Sequence, residues 1–426
     1  MYIPYEKIGA TLALFFPKYG NFIREKTMDL KVCHNCRFIK RNSKKVLKKI
    51  QKKIKDKEKV KVAFLCSEPA KWKCQSLFDL FLKDDYFEPL ILITRNLTDQ
   101  LGYTNEFVTN FFRQQNLSVE QAYDLTQDKV IDISDFGIDL IFYQQPWSNA
   151  TIQGPVVSSK YALSYYVPYF IATSESWIEY GLRFHQYVHK HYVLNKQIKN
   201  TFSLKMKNKG SNLVVTGNPQ LDYFYLKKSN VVPKYVIYAP HHSLDDPRTN
   251  WSTFEWSGQF ILDFAKKHPD INWIFKPHPY LITALQKKNF MQKEEIDKYW
   301  GEWKKIGKIC DTGNYLDLFQ QSYAMITDCG SFLTEYFLTE QPVINLRRKD
   351  SVAFNSCVKA ITDTYYKAYT KEELEQHLDN VILKREDPKK NERLNLLKEL
   401  NLDSNYAALN ILNDIKQELG INLVMT

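Results

Sequence analysis

The sequence predicts an α/β protein of two consecutive lobes, each a buried parallel sheet wrapped in helices, with a basic helical arm in front. Three observations carry that prediction. The chain has 426 residues, too many for one ordinary core, and its 44% hydrophobic and 14% aromatic content can fill two. Beyond residue 59, short β-branched and apolar runs alternate with helical patterns, as βαβ units do. Polar residues gather directly behind those runs, where open α/β sheets hold their ligands.

The first lobe spans 59–220. VKVAFLCS (60–67) reads as its first strand, followed by a helix over WKCQSLFDLFLKD. EPLILIT (88–94) and DLIFYQQP (139–146) follow, with helical patterns between them through about residue 130, and NLVVTGNP (212–219) closes the lobe. The second lobe, 221–370, repeats the alternation. Its strands are KYVIYAP (234–240), NWIFKPHP (272–279), YAMITD (323–328) and PVINL (342–346); KICDTG and the helical YLDLFQQ lie between. Residues 371–426 carry two more helical patterns, KEELEQHLDNVILK and YAALNILNDIKQEL. Two such lobes imply a cleft between them.

Residues 1–58 form the arm. Between Lys31 and Lys61 fourteen Lys or Arg meet only Asp56 and Glu58, a net of +12 in a chain whose total is +11. A nearly neutral globular protein therefore carries one concentrated polycation, and its partner must be a polyanion. Ile39, Val46, Leu47, Ile50 and Ile54 recur at helical spacing, which predicts a helix lying in an anionic headgroup region with its apolar stripe buried. The alternative is a solvated helix packed on its own domain. Nucleic acid is not expected as a partner, because no helix-turn-helix, finger or RNA-binding signature accompanies the charge. IGATLALFFP is about half the length a membrane span requires, and its flanks do not read as a signal peptide. The seven cysteines suggest reduced thiols; the lone Cys33-His34-Asn35-Cys36 has no second ligand pair for zinc close by.

The chemistry should lie at the strand ends. Asp328-Cys329-Gly330-Ser331 closes a strand and opens a helix, the arrangement in which free N–H groups, a glycine and a hydroxyl receive a phosphate; Asp and Ser also cap helices for structural reasons alone. Lys276 and His278, in a turn with two prolines, can contact a diphosphate as a point charge and an imidazole donor. His241 or His242, behind Tyr238-Ala239-Pro240, can act as acid, base or phosphate ligand. Glu335, one turn beyond Ser331, can accept from ribose hydroxyls or simply face the helix dipole. Gln144, Gln145 and Asn218 stand at the corresponding strand ends of the first lobe. No Walker loop, GxSxG elbow, HExxH or GxGxxG is present.

TGNPQLD (216–222), YAP (238–240), FKPHP (275–279) and TDCGSFLTEYFLTEQPVI (327–344), in this order, resemble the CDP-glycerol glycerophosphotransferase family, whose members build teichoic-acid and related capsule chains. The likeness covers residues 60–350 and is most specific in the second lobe. It implies a GT-B-like fold, in which two Rossmann-like lobes with parallel sheets face a cleft and C-terminal helices cross back to the first. It implies that His278, Gly330 and Ser331 hold the diphosphate of CDP-glycerol or a related nucleotide-activated donor, with Glu335 near the ribose. His241 and His278 are then the catalytic candidates, Lys276 and Asp328 belong to the donor site, and neither metal nor other cofactor is required. The acceptor would be a glycan or lipid-linked glycan at the inner face of the cell membrane, where residues 31–61 would hold a cytoplasmic, peripheral enzyme.

One departure stands out. The family's polymerases and primases usually carry an HGTP-like motif in the first lobe, whose His resembles a general base for the acceptor hydroxyl; here the comparable strand end reads Tyr143-Gln144-Gln145-Pro146-Trp147. Glutamine cannot take a proton at neutral pH. His185, His189, His191, Glu175 and Glu179 are the replacements the sequence offers. The missing His also leaves open an inactive scaffold of the same fold, and a UDP- or GDP-sugar can replace the CDP-polyol as donor.

Overall fold

The computed structural model describes residues 5–15, 19–95, 104–124, 126–147, 150–174, 180–226, 232–246, 249–310, 315–402 and 406–422. Glu175 and Glu179 lie outside the described residues. The chain divides into two compact units, Met1–Phe170 with Tyr180–Gln220 and Tyr406–Thr426, and Ile171–Glu179 with Leu221–Asn405.

The first unit is built on β1 (Val60–Cys66), β2 (Phe87–Ile93), β3 (Val119–Gln121), a small antiparallel pair β4 (Tyr123–Asp124) and β5 (Lys129–Val130), then β6 (Leu140–Tyr143), β7 (Leu163–Tyr166), β8 (Lys190–Val193) and β9 (Leu213–Val215). Seven strands run parallel in the order β3-β2-β1-β6-β7-β8-β9. Helices on both faces explain why β1 is apolar almost throughout instead of alternating. On one face Phe64, Phe142, Tyr165 and Tyr192, from four adjacent strands, stack in a row with ring centroids 4.6, 5.2 and 5.9 Å apart. β3, β7 and β8 escape the sequence reading. In β7 and β8 the aromatic rings carry polar tips that a local pattern cannot place. Helix Ala407–Leu419 supplies their partners: Tyr165 donates to Glu418 and Tyr192 to Asp414, across more than two hundred residues of chain.

The second unit holds β10 (Tyr235–Ala239), β11 (Asn272–Phe275), β12 (Lys308–Ile309), β13 (Ser322–Thr327), β14 (Val343–Leu346) and β15 (Tyr366–Ala368), parallel in the order β12-β11-β10-β13-β14-β15. Its core packs Tyr238, Phe275 and Trp303 face to face. Helices Lys371–His377 and Lys390–Glu399 remain in this unit, the latter anchored by buried Arg393 on the Glu340 and Thr364 carbonyls. Only Ala407–Leu419 joins the first unit. The strand order reverses direction once in each sheet, between β1 and β6 in the first and between β10 and β13 in the second. Such a switch point opens a crevice beyond the carboxyl ends of the two strands.

The basic arm differs from the headgroup-inserted helix expected of it. It is one 36-residue helix, Gly20–Lys55, and its apolar stripe is already used. Val46 and Ile50 are buried in the same core as Phe64 and Phe142, with Leu47 and Ile54 packed alongside. Lys53 bonds Asp139 at 2.6 Å, and the same carboxylate accepts the Lys61 N–H, tying the helix to the starts of β1 and β6. What remains outward is charge: Lys40, Arg41, Lys44, Lys45, Lys48, Lys49, Lys52 and Lys55 are exposed. No helix among the described residues is long and apolar enough to cross a membrane.

Candidate functional site

In the second unit three loops leave the adjacent strands β11, β10 and β13 side by side. They are stitched together before any ligand arrives. The His278 N–H donates to the Pro240 carbonyl and the Lys276 N–H to that of Tyr238. Asp328 takes the His241 N–H on Oδ1 at 2.6 Å, and the Thr253 N–H and hydroxyl on Oδ2 at 2.6 and 2.8 Å. Burial pushes its carboxyl up to about 6, against the three donors that favour the ionised form. With both oxygens turned inward, Asp328 frames the site instead of facing a ligand.

That frame brings His241, His242 and His278 together, one nitrogen of each lying within 4.8 Å of the others. Burial first, and then His242 and His278 for His241, and His242 and the Lys276 ammonium for His278, hold both rings well below the usual histidine range, so both are neutral at neutral pH. Their tautomers follow from the backbone. The Ser243 N–H points at His241 Nδ1 (3.2 Å) and the Tyr280 N–H at His278 Nδ1 (3.1 Å). A backbone N–H can only donate, so each Nδ1 accepts and each ring proton sits on Nε2. A metal bound at Nε2 would demand the opposite tautomer. These two rings are therefore set up to donate to an anion.

Lys276 is buried beside them, its Nζ 5.0 Å from the Tyr315 ring centroid and 5.5 Å from that of Phe332. Tyr315 in turn donates to Glu335 Oε2 at 2.6 Å, which orients the buried Glu335. Behind β13 the helix Gly330–Phe337 begins with no side chain capping its first turn. Gly330 has a packing reason: a Cβ there would stand 2.6 Å from the Trp251 ring. Ser331 is half-buried, its Oγ 3.5 Å from Cys329 Sγ. Arg347, which follows β14, adds a cation over the Phe354 ring at 4.0 Å. The sequence reading grouped Lys276, His241, His278, Asp328, Gly330, Ser331 and Glu335, and the structure draws them around one switch point. It missed Thr253, Trp251, Tyr315 and Arg347, of which only Arg347 had a local signal, its place behind an apolar strand.

The first unit's switch point is built differently. Gln144 is spent: its Oε1 accepts the Lys73 N–H and its Nε2 donates to the Leu65 carbonyl. Gln145 donates to Ser67 Oγ at 3.4 Å. Asn218 lies three strands along the sheet and holds its own turn, accepting from the Gln220 N–H and donating to the Pro168 carbonyl. The histidines proposed as bases are in the wrong places, and this corrects the expectation. His185 and His191 stack on each other inside the core, 5.1 Å apart against Phe202, and His189, ahead of β8, bonds Glu418 at 2.8 Å. None stands at the carboxyl ends of the strands.

No protein-family model matches the sequence, and no curated protein does. Solved structures do. A variant of the wall teichoic acid polymerase TagF superposes with TM-score 0.56 at 10% identity, covering 89% of this chain and 98% of that one. S. aureus MnaA with UDP gives 0.55 at 14%, covering 86% and 99%. The UDP-GlcNAc 2-epimerase of Methanocaldococcus jannaschii, in complex with UDP-GlcNAc and UDP, gives 0.53 at 16%, covering 84% and 99%. At these identities the likeness is one of fold, and it agrees with the two parallel sheets: the chain is an α/β protein of two Rossmann-like units with the GT-B architecture.

Proposed function

We propose that the chain is a transferase that moves a glycerol-phosphate-like polyol phosphate from a CDP-linked donor to a hydroxyl of a membrane-associated bacterial surface polysaccharide, such as teichoic acid, capsule or lipooligosaccharide. The observation that carries this reading is the second unit's switch point, where two neutral imidazoles present Nε2–H beside buried Lys276 and an uncapped helix start. Such donors suit a diphosphate, and they strengthen as charge develops on the departing nucleotide. Residues 221–370 would bind the donor and 59–220 the acceptor. The family motifs in the sequence and the likeness in fold to TagF support the choice of a CDP-polyol.

A second reading has its own observation. MnaA with UDP and the M. jannaschii UDP-GlcNAc 2-epimerase share the fold equally well, which supports a UDP-sugar as the alternative donor. A thermal-shift screen against CDP-glycerol, CDP-ribitol, UDP-GlcNAc and GDP-mannose separates the two. A ligand at one hundred times its dissociation constant adds about 2.7 kcal/mol to the native state. Stabilisation by CDP-polyols alone supports the first reading, by UDP-GlcNAc alone the second. Silence from all four would leave an inactive scaffold.

The exposed lysine face of Gly20–Lys55 supports a place at the inner face of the membrane, held by charge without insertion. Co-sedimentation with phosphatidylglycerol vesicles should be lost on replacing Lys44, Lys48 and Lys52 by Gln, with the thermal midpoint unchanged. Equal binding by the triple variant would remove the membrane from the reading.

A further inference from the structure

Beside the anion cradle of the second unit stands a cation that the cradle itself does not use. Arg347 and Arg348 leave β14 together, both half-buried. Arg348 is neutralised: its Nη1 pairs with Glu255 and its Nε with Asp350 at 3.0 Å. No carboxylate among the described residues forms an ion pair with Arg347. Its Nη2 donates to Ser351 Oγ at 3.2 Å, Tyr369 lies beside it, and the guanidinium rests on the Phe354 ring at 4.0 Å. Burial lowers its pKa against the pull of Tyr369 and Asp328, and that aspartate is already taken by His241 and Thr253. A guanidinium nevertheless stays protonated in a protein. Held by a hydroxyl and a ring, with no counter-charge of its own, Arg347 is placed to receive an anion from a ligand.

Its position relates it to the cradle. Lys276, His241 and Gly330 follow β11, β10 and β13, and Arg347 follows β14, the next strand in the sheet. Thr327 pairs with Asn345, so two residues on Arg347 leaves the sheet level with Cys329, just ahead of the helix that starts at Gly330. The Trp251 ring links the two places, 5.6 Å from the His241 ring and 5.7 Å from that of Phe354. At the Lys276 end of the cradle, Tyr315 holds Glu335. On the transferase reading above, on which this inference rests, Glu335 faces the ribose. The nucleoside then lies toward β11, the diphosphate over β10 and β13, and the transferred group toward β14. We infer that Arg347 is a specificity-determining residue that binds an anionic oxygen of the transferred group, so that this group carries a negative charge of its own. In a CDP-polyol that charge is the phosphate that travels with the polyol. In a UDP-sugar it is a carboxylate on the sugar. The planar guanidinium fork matches either.

The test is calorimetric titration of wild type and Arg347→Gln with two pairs of ligands, CDP-glycerol against CMP and UDP-glucuronate against UDP-glucose. Wild type should prefer the first member of at least one pair by tenfold or more. Arg347→Gln should weaken that ligand at least tenfold and leave its partner within twofold, the scale of one charge-assisted contact. A loss confined to CDP-glycerol identifies the anion as the polyol's phosphate; one confined to UDP-glucuronate identifies a sugar carboxylate. Arg347→Gln that binds all four ligands as wild type does overturns the assignment. So does a variant that loses CMP and UDP-glucose as strongly as their charged counterparts, which would make Arg347 a residue of the nucleotide site. If the variant does not fold, wild type decides: equal affinity within both pairs overturns the assignment and leaves the nucleotide site standing. Wild-type protein that binds none of the four overturns the transferase reading itself.

Discussion

The two switch points share a topology and differ in chemistry. Each lies where the strand order reverses, and each is made rigid by bonds from one loop to the next. In the second unit the rigid frame is Asp328, and the groups it leaves facing outward are imidazole donors and a lysine. In the first the frame is Gln144, whose amide is used up on the Lys73 N–H and the Leu65 carbonyl, with Lys71 and the Ser67 and Thr94 side chains beside it. Position in the fold selects where a ligand binds, while the residue types at the strand ends select which ligand. The imidazole donors and lysine of the second site suit an anion, and the first site has no such set.

The comparison breaks most readily at Lys276. Lys276→Met should weaken binding of CDP-glycerol or UDP-GlcNAc by roughly thirtyfold or more, since a charge-assisted bond is worth about 2 kcal/mol. Gln144→Ala should leave that affinity within twofold while lowering the thermal midpoint. A reversal of the two effects in titration calorimetry would mean that the units had been assigned the wrong way round.

Next in size is Gly330. Gly330→Ala drives a methyl into the Trp251 ring, so about 1–3 kcal/mol of stability should be lost in urea unfolding. Trp251→Leu in the same chain should recover part of it. No recovery would make the glycine a matter of ligand approach and not of packing.

A third contrast lies away from both sites, where the C-terminal helix closes the first unit. Glu418 is desolvated, which alone would raise its carboxyl, but His189 and Lys190 outweigh this and lower it to about 2. The sign is that of a depressed acid: the stability is present above the unfolded value near 4.5 and is lost as pH falls toward 2. Glu418→Gln should cost on the order of 2 kcal/mol at pH 6 and almost nothing at pH 2. A pH-independent difference would make the loss one of packing.

Much of this was legible in the sequence because parallel strands buried on both faces announce themselves. VKVAFLC and YAMIT are apolar throughout, and the loop behind each could be located at once. What stayed hidden depended on distant partners. Thr253 earns its place by a bond to Asp328, 75 residues away, and β8 is held by Asp414. The apolar stripe of the basic helix was read correctly as a stripe, but no local pattern says whether lipid or protein covers it; Val46 and Ile50 meet Phe64.

The central claim is that the second unit's switch point binds the diphosphate of an activated nucleotide. Calorimetric titration of wild type and His278→Ala with CDP-glycerol and with UDP-GlcNAc tests it directly. One of the two should bind wild type, and removing the Nε2–H donor should weaken that ligand at least tenfold without lowering the thermal midpoint. Undiminished affinity in His278→Ala would contradict it.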